Sequence, residues 1–197
     1  MSHRQIVMAA LEATAKLLTT LPENHLALIE RAAVLMTRSL QTHGKIIWFG
    51  NGGSATQSQH MAAEFVGRFQ RERRALSSIS LTENMASITA IGNDYAFDQI
   101  FARQLEGLGQ PHDVVVGLST SGNSPNVLQG IRKAKELGLG TIGLTGGSGG
   151  SMASLCDICI CVPSTVTARI QEVHLVIGHT LCGMVEESLL SQPTATS

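Results

Sequence analysis

The sequence predicts an α/β fold, a three-layer αβα sandwich in which a five-stranded, parallel, doubly wound sheet lies between helices. Apolar runs of strand length alternate with helical segments of roughly a dozen residues or more, which is the pattern of βαβ units. The first run, residues 45–50 (KIIWFG), is almost entirely apolar, as expected of a strand covered on both faces. Ligands of such sheets bind beyond the carboxyl ends of the strands, so we expect a site in the loops there.

Two helices precede the sheet. Apolar residues at helical spacing predict the first helix over about 4–20 and the second over about 23–43, with Pro22 between them. A helical pair cannot bury two apolar stripes by itself. We therefore expect these helices to pack on the sheet, on another subunit, or on both.

The other elements follow from the same patterns, within one domain spanning residues 1–197 (N-terminal helices about 4–43, α/β core about 45–190). Strands are predicted at 45–50, 76–81, 113–118, 140–145 and 157–162, and helices at about 54–68, 84–91, 97–108, 125–137 and 167–190, with a chain break at 92–94 (GND) and a frayed polar tail at 191–197.

Composition excludes several classes of protein. The net charge of −1 and the pI near 6.6 argue against a nucleic-acid surface, and the basic run at 71–74 is interpreted as a solvated helix end. Glu12 and Lys16 interrupt the apolar residues at the start of the chain, so we expect neither a targeting segment nor a membrane span. These features predict a cytoplasmic protein.

The four cysteines are predicted to be structural thiols. The run CDICIC, residues 156–161, lacks the second cysteine pair of a zinc knuckle, and Cys159 and Cys161 are expected to fill one buried face of a strand. Nothing in the cysteine spacing indicates a disulfide framework, which is consistent with a reducing cytoplasm.

The turn at residues 50–55 follows the first strand and fits the dinucleotide pattern G-x-G-x-x-A. That fingerprint also requires an acidic residue about 20 positions further on. The nearest candidate, Glu83, comes about 30 residues after the glycines. The dinucleotide interpretation is therefore weak, although glycines there would still let a ligand approach the backbone.

Residues 119–125 (STSGNSP) form a more specific pattern. Ser124 is placed as the N-cap of a helix and Pro125 at its first position, so backbone N–H groups and the positive helix end would face the loop. Such a loop suits a phosphate monoester. The alternative is that these residues only cap the helix, but one cap requires one hydroxyl and this loop has four.

A His-x-x-x-Glu pair, His60 and Glu64, lies one turn apart on a predicted helix. On the last helix, Gln171 and His179 are roughly 80° apart and can project to one side, whereas His174 lies roughly 140° from His179 and is not expected to join them. His60, Glu64, Gln171 and His179 would make a plausible zinc site. The alternative, an ordinary hydrogen bond between His60 and Glu64, stays open at this point.

With its motifs taken in order, the chain resembles the sugar isomerase (SIS) domain family and, within it, the phosphoheptose isomerases. The resemblance rests on GNGGSA, QHMAAEFVGRF, TAIGNDYAFD, STSGNSPNV and ARIQEVH followed by GH, all in the expected order and spacing.

The resemblance implies conversion of sedoheptulose 7-phosphate to D-glycero-D-manno-heptose 7-phosphate, the first step towards the heptose of lipopolysaccharide, by a cytoplasmic homotetramer with sites at subunit interfaces and one Zn²⁺ per subunit. It implies Glu64 as the base and His179 as the acid of an aldose–ketose exchange. The implied zinc ligands are His60, Glu64, Gln171 and His179; the implied substrate contacts are Asn51, Gly52, Gly53, Glu64, Asn93, Asp94, Ser119, Thr120, Ser121, Ser124 and Gln171.

Two alternatives come from other classes. The same domain serves as a non-catalytic adaptor of the bacterial replication initiator protein, but that relative lacks the residues corresponding to Glu64 and His179, which this chain has. A sugar-phosphate sensor would be expected to carry a DNA-binding extension.

Overall fold

The computed structural model describes residues 1–191, so most of the predicted polar tail lies outside the described residues. The helices are α1 His3–Thr19, α2 Glu23–Gln41, α3 Gly53–Val66, α4 Met85–Asp94, α5 Ile100–Leu108 (after a 3-10 turn, Phe97–Gln99), α6 Pro125–Glu136, α7 Met152–Leu155 and α8 Thr167–Leu190; the strands are β1 Ile46–Gly50, β2 Ser78–Ser80, β3 Val114–Ser119, β4 Gly140–Gly146 and β5 Ile158–Val162.

The five strands form one parallel sheet in the order β2-β1-β3-β4-β5, which confirms the predicted doubly wound topology. The strand order reverses between β1 and β3, so the crevice at the carboxyl ends of these two strands is where a ligand is expected. β1 is buried along its whole length, as its continuous apolar run predicts.

Two hydrophobic cores give the three layers. Trp48 and Val116 point to the face covered by α2, α3 and α8, whereas Phe49 and Val115 point to the face covered by α5 and α6. Side chains alternate between the faces of a strand, so each strand supplies both cores. The long helix α8 spans the first face and ends near the same residue as predicted.

The N-terminal helices behave differently from each other. Helix α2 buries Ile29, Met36 and Leu40 in the first core, whereas α1 contacts α8 and has no buried residue. Val7 and Leu11 of α1 are more than half exposed. Packing on the sheet is therefore confirmed for α2 alone.

Within residues 1–191, no helix combines the length and hydropathy needed to cross a bilayer.

The predicted break at residues 92–94 is wrong. Helix α4 continues through Gly92 to Asp94, because Gly92 does not adopt the positive φ that would make it a helix terminator. The chain turns two residues later, where Ala96 is extended. The edge strand β2 is also shorter than predicted, since the N–H of Leu76 donates to the carbonyl of Phe65 at the end of α3 instead of extending the strand.

Two further interpretations need correction. Cys159 and Cys161 share one face of β5, but that face is only half-buried because the four-residue α7 covers little of it, and the buried face carries isoleucine and valine. The basic run at 71–74 is neither helical nor wholly solvated, since Arg73 is 5% exposed and pairs with Glu186.

Candidate active site

Three ligand atoms of the predicted metal set lie together in the structure. The Nε2 atom of His60 is 3.0 Å from Oε1 of Glu64 and 3.1 Å from Nε2 of His179, and the three ligand atoms lie within 4.8 Å of one another. His60 and Glu64 share one face of α3, and His179 comes from α8. The ring of Phe69 stacks on that of His179, with centroids 5.5 Å apart. A compact donor set therefore forms from residues more than a hundred positions apart.

The cluster depends on close packing of α3 against α8. Gly178 precedes His179, and a Cβ at this position would lie only 2.4 Å from the sulfur of Met61 on α3. Because glycine has no side chain, the two helices approach closely beside the cluster. The glycine thus brings His179 within reach of His60.

The glycine turn at residues 50–55 lies at the N-terminal end of α3, where α3 also packs against α8. Gly52 is the N-cap residue of α3 and has φ 55°, a conformation that favours glycine. A Cβ on Gly53 would lie 2.7 Å from the side-chain nitrogen of Gln171, so the carboxamide of Gln171 lies over the turn. The amide of Gln57 donates to the backbone carbonyl of Gln171 at 2.7 Å. The structure thus joins Gly53 and Gln171, as expected of one pocket.

Asn51 meets a residue that the sequence analysis missed. Its carboxamide exchanges two hydrogen bonds of 2.8 Å with that of Asn126, which is buried in the first turn of α6. This pair bridges the crevice between β1 and β3. Asn126 follows Pro125 at the helix start, but its pairing with Asn51 carries no signal in the sequence.

Hydroxyl groups cluster in the loop after β3. Oγ of Ser119 lies 3.0 Å from Oγ of Ser124 and 3.4 Å from Oγ of Ser121. Ser124 is the N-cap residue and Pro125 follows it, as predicted, but the Ser124 hydroxyl makes no capping hydrogen bond. The interpretation that these residues only cap the helix therefore loses its support. Thr120 is half-buried in the same loop.

The glycine-rich turn after β4 supports this loop from one side. Gly122 has φ 66°, and a Cβ there would lie 1.9 Å from the carbonyl oxygen of Gly149. The side-chain oxygen of Asn123 accepts hydrogen bonds from the N–H and the hydroxyl of Ser151, at 2.9 and 3.0 Å. Asn123 and Ser151 were not predicted as site residues, and the pairing between the two loops carries no signal in the sequence.

Asn93 and Asp94 are not brought into these groups. They lie exposed at the end of α4, and within the described chain their side chains hydrogen-bond to each other and to no other predicted site residue. Their role in substrate binding stays a prediction.

Cys182 lies near the cluster but does not belong to the donor set. Burial, with a further contribution from the negative charge of Glu64, raises the pKa of the Cys182 thiol to about 12. A cysteine binds metal as the thiolate, so a neutral thiol is a poor ligand.

His174 lies apart from the other histidine of α8, as its helical position predicts. Its Nε2–H donates to the carbonyl of Thr145 at 2.9 Å, and among residues 1–191 its Nδ1 has no hydrogen-bond partner. Burial lowers the pKa of His174 to about 4. The imidazole is therefore neutral in the folded chain at neutral pH.

This burial predicts an acid-sensitive stability. An unfolded histidine, with a pKa near 6.5, takes up a proton before the folded one does, so stability is full above pH 6.5 and falls as the pH drops towards 4. We expect His174 to remove about 2 kcal/mol of unfolding free energy between pH 7 and pH 5. Denaturant unfolding of metal-free protein should show this loss, and the His174→Gln variant should lack it. An equal loss in both proteins would contradict the assignment.

Fold and site together define a doubly wound α/β protein with a hydroxyl-lined loop at the switch point of its sheet and a His–Glu–His cluster between α3 and α8. The sequence model of the SIS domain matches residues 11–146. A phosphoheptose isomerase from Rhodospirillum rubrum is 54% identical over 83% of this chain and 87% of its own. A solved phosphoheptose isomerase from Neisseria gonorrhoeae is 38% identical with a TM-score of 0.89, covering 94% of this chain and 100% of that one.

A phosphoheptose isomerase structure from Francisella tularensis is similar too, with 36% identity and a TM-score of 0.87 over 95% of this chain and 100% of its own. The chain belongs to the SIS domain family and, within it, to the phosphoheptose isomerases. Membership in this family replaces the dinucleotide interpretation of the glycine turn.

Proposed function

We infer that this chain is an aldose–ketose isomerase that converts sedoheptulose 7-phosphate to D-glycero-D-manno-heptose 7-phosphate, the first step towards the heptose of lipopolysaccharide. The observation that carries this conclusion is the similarity to phosphoheptose isomerases over more than four fifths of the chain. The cluster of His60, Glu64 and His179 supplies groups suited to the chemistry.

The reaction moves a carbonyl from carbon 2 of the ketose to carbon 1 of the aldose through an enediol. A base must take a proton from carbon 1 and return one to carbon 2, while an acid gives a proton to the oxygen on carbon 2 and then takes the proton from the hydroxyl on carbon 1. We assign the base to the carboxylate of Glu64 and the acid to the imidazole of His179. The closeness of both groups to His60 supports this assignment, because the two proton transfers occur at adjacent atoms of the substrate.

We propose that the same cluster holds one Zn²⁺, with Glu64 bound to it only loosely when substrate is present, because a carboxylate held tightly by zinc is a weaker base. The donors are two imidazoles and one carboxylate, and the distances of 3.0 and 3.1 Å from His60 to the other two are near the ~3.3 Å between ligands of tetrahedral zinc. Gln171 stays the predicted fourth ligand; in the structure its carboxamide lies over Gly53, about two helical turns from His60, where it suits a contact with the sugar. Zinc would supply a Lewis acid for the carbonyl oxygen.

The rest of the substrate is assigned to the crevice between β1 and β3. We propose that Ser119, Thr120, Ser121 and Ser124 bind the phosphate, which the free hydroxyl of Ser124 at the start of α6 supports. The sugar hydroxyls are assigned to Asn51, Gly52, Gly53, Asn93 and Asp94.

We further propose one SIS domain over the whole chain and a cytoplasmic homotetramer with sites at subunit interfaces. The exposed apolar residues of α1, such as Val7 and Leu11, support burial against other subunits. The four cysteines are free thiols, which suits a reducing compartment. The adaptor alternative is not favoured, because this chain keeps Glu64 and His179 next to each other and is similar to enzymes.

The function is tested by incubating the zinc-loaded protein with sedoheptulose 7-phosphate and following the heptose phosphate by NMR. We expect conversion, and we expect unphosphorylated sedoheptulose to react with a kcat/KM at least about 10²-fold lower, since remote binding energy from the phosphate contributes to turnover. No conversion with zinc or with a chelator present would overturn the proposal and favour the adaptor.

A further inference from the structure

One buried ion pair lies beside the catalytic cluster and is not explained by substrate or metal binding. Arg73 and Glu186 are 5% and 2% exposed, and Nε of Arg73 lies 2.8 Å from Oε1 of Glu186. Arg73 belongs to the loop between α3 and β2, and Glu186 belongs to α8. The pair therefore connects the loop that follows α3 with the part of α8 that follows His179.

Arg73 binds the backbone of α3 at Glu64 itself. Its Nη2 donates to the carbonyl of Glu64 at 2.8 Å, and its Nη1 donates to those of Phe65 at 2.9 Å and Gly67 at 3.3 Å. The last four carbonyls of a helix lack intrahelical partners, and a cation there is favoured by the helix dipole. Arg73 thus fixes the last turn of α3, which carries the proposed base.

Glu186 fixes the loop that covers His179. Its carboxylate accepts backbone N–H groups from Phe69, Gln70 and Arg71 at 3.3, 2.9 and 2.9 Å. The ring of Phe69 stacks on His179, which lies two turns before Glu186 on nearly the same face of α8. The backbone that carries this ring is therefore held by Glu186.

We propose that Arg73 and Glu186 are positioning residues for the isomerase. They hold the Glu64 carboxylate and the His179 imidazole at the relative positions that proton transfer and metal binding require. This inference rests on the proposed function of Glu64 and His179. Neither Arg73 nor Glu186 contacts the substrate in this account, so both act through the backbone of α3 and through Phe69.

A purely stabilising role is the alternative, and it can be separated from positioning. Replacing both partners of a buried ion pair with apolar residues often leaves stability unchanged, whereas removing one partner leaves an unpaired buried charge. The double variant Arg73→Met with Glu186→Leu should therefore fold but lose the hydrogen bonds to the carbonyl of Glu64 and to the N–H of Phe69.

For this double variant we expect kcat to fall about 10²-fold and zinc affinity to fall about 10-fold, as for lost supporting contacts around a metal site, with KM changed less than about 3-fold. Steady-state kinetics, competition with a chromophoric chelator and thermal unfolding measure the three quantities. The matched control is Arg71→Gln with Glu187→Gln. This pair joins the same two segments at 2.8 Å but is 62% and 58% exposed, so every value should stay near that of the wild type.

A folded double variant with wild-type kcat and zinc affinity would overturn the proposal. Should that variant not fold, Arg73→Lys decides, since it keeps the charge but cannot reach several carbonyls at once; a wild-type kcat in this variant would overturn the proposal equally. Failure of the proposed function looks different, because wild-type protein would then be inactive while the zinc affinity would still report on positioning.

Discussion

Replacement of Glu64 by glutamine is expected to lower kcat by about 10³-fold or more while substrate binding survives, since an amide of the same shape cannot accept a proton and general base catalysis contributes about 10²–10⁴-fold. The assay is run at saturating Zn²⁺, because Glu64 is also a proposed zinc ligand. The carboxylate lies 3.0 Å from His60, which places it inside the cluster to which both proton transfers are assigned. Steady-state kinetics with sedoheptulose 7-phosphate gives kcat, and isothermal calorimetry gives the substrate affinity.

The matched control for this variant is Glu136→Gln. Glu136 is an exposed carboxylate at the end of α6 that pairs only with Lys133 among the described residues, so its loss should leave kcat unchanged. Near wild-type activity of the Glu64→Gln variant would remove Glu64 from the proton transfer.

Removal of zinc is expected to lower kcat by about 10²-fold, because a Lewis acid contributes several kcal/mol to stabilising charge on oxygen. Chelation should abolish most of the turnover of the wild type, and added Zn²⁺ should restore it. The His60→Gln variant should bind zinc more weakly and respond little to added zinc, since one imidazole of the cluster is missing.

The control for the metal prediction is His3→Gln, which changes an exposed histidine in the first turn of α1. It should bind zinc like the wild type. Full turnover in thoroughly metal-free protein would contradict the metal assignment, as would wild-type zinc affinity in the His60→Gln variant.

The main architecture was predictable because its signals are local. The apolar run of β1 specifies a buried parallel strand, and the spacing of apolar residues in α8 specifies a helix with nearly the observed bounds. The hydroxyl loop is likewise marked by Ser124 and Pro125, whose capping positions follow from residue type. Local sequence thus predicted the sheet, the long helix and the candidate phosphate loop.

The parts that could not be predicted depend on distant partners. A basic run normally lies on the surface, but Arg73 is buried because Glu186, 113 residues away, neutralises it and helix carbonyls accept its hydrogen bonds. Asn126 contributes to the crevice through the hydrogen bonds between its carboxamide and that of Asn51, which is 75 residues away. Gly92 does not end helix α4, because a glycine can continue a helix when nothing requires a positive φ.

The most direct test of the account is to run the isomerisation of sedoheptulose 7-phosphate in deuterium oxide and to locate deuterium in the product by NMR. Proton transfer by Glu64 predicts deuterium at carbon 2 of the heptose phosphate, with product formation and deuterium incorporation slower by about 10³-fold or more in the Glu64→Gln variant. Product formation or labelling by the Glu64→Gln variant at the wild-type rate would contradict the account.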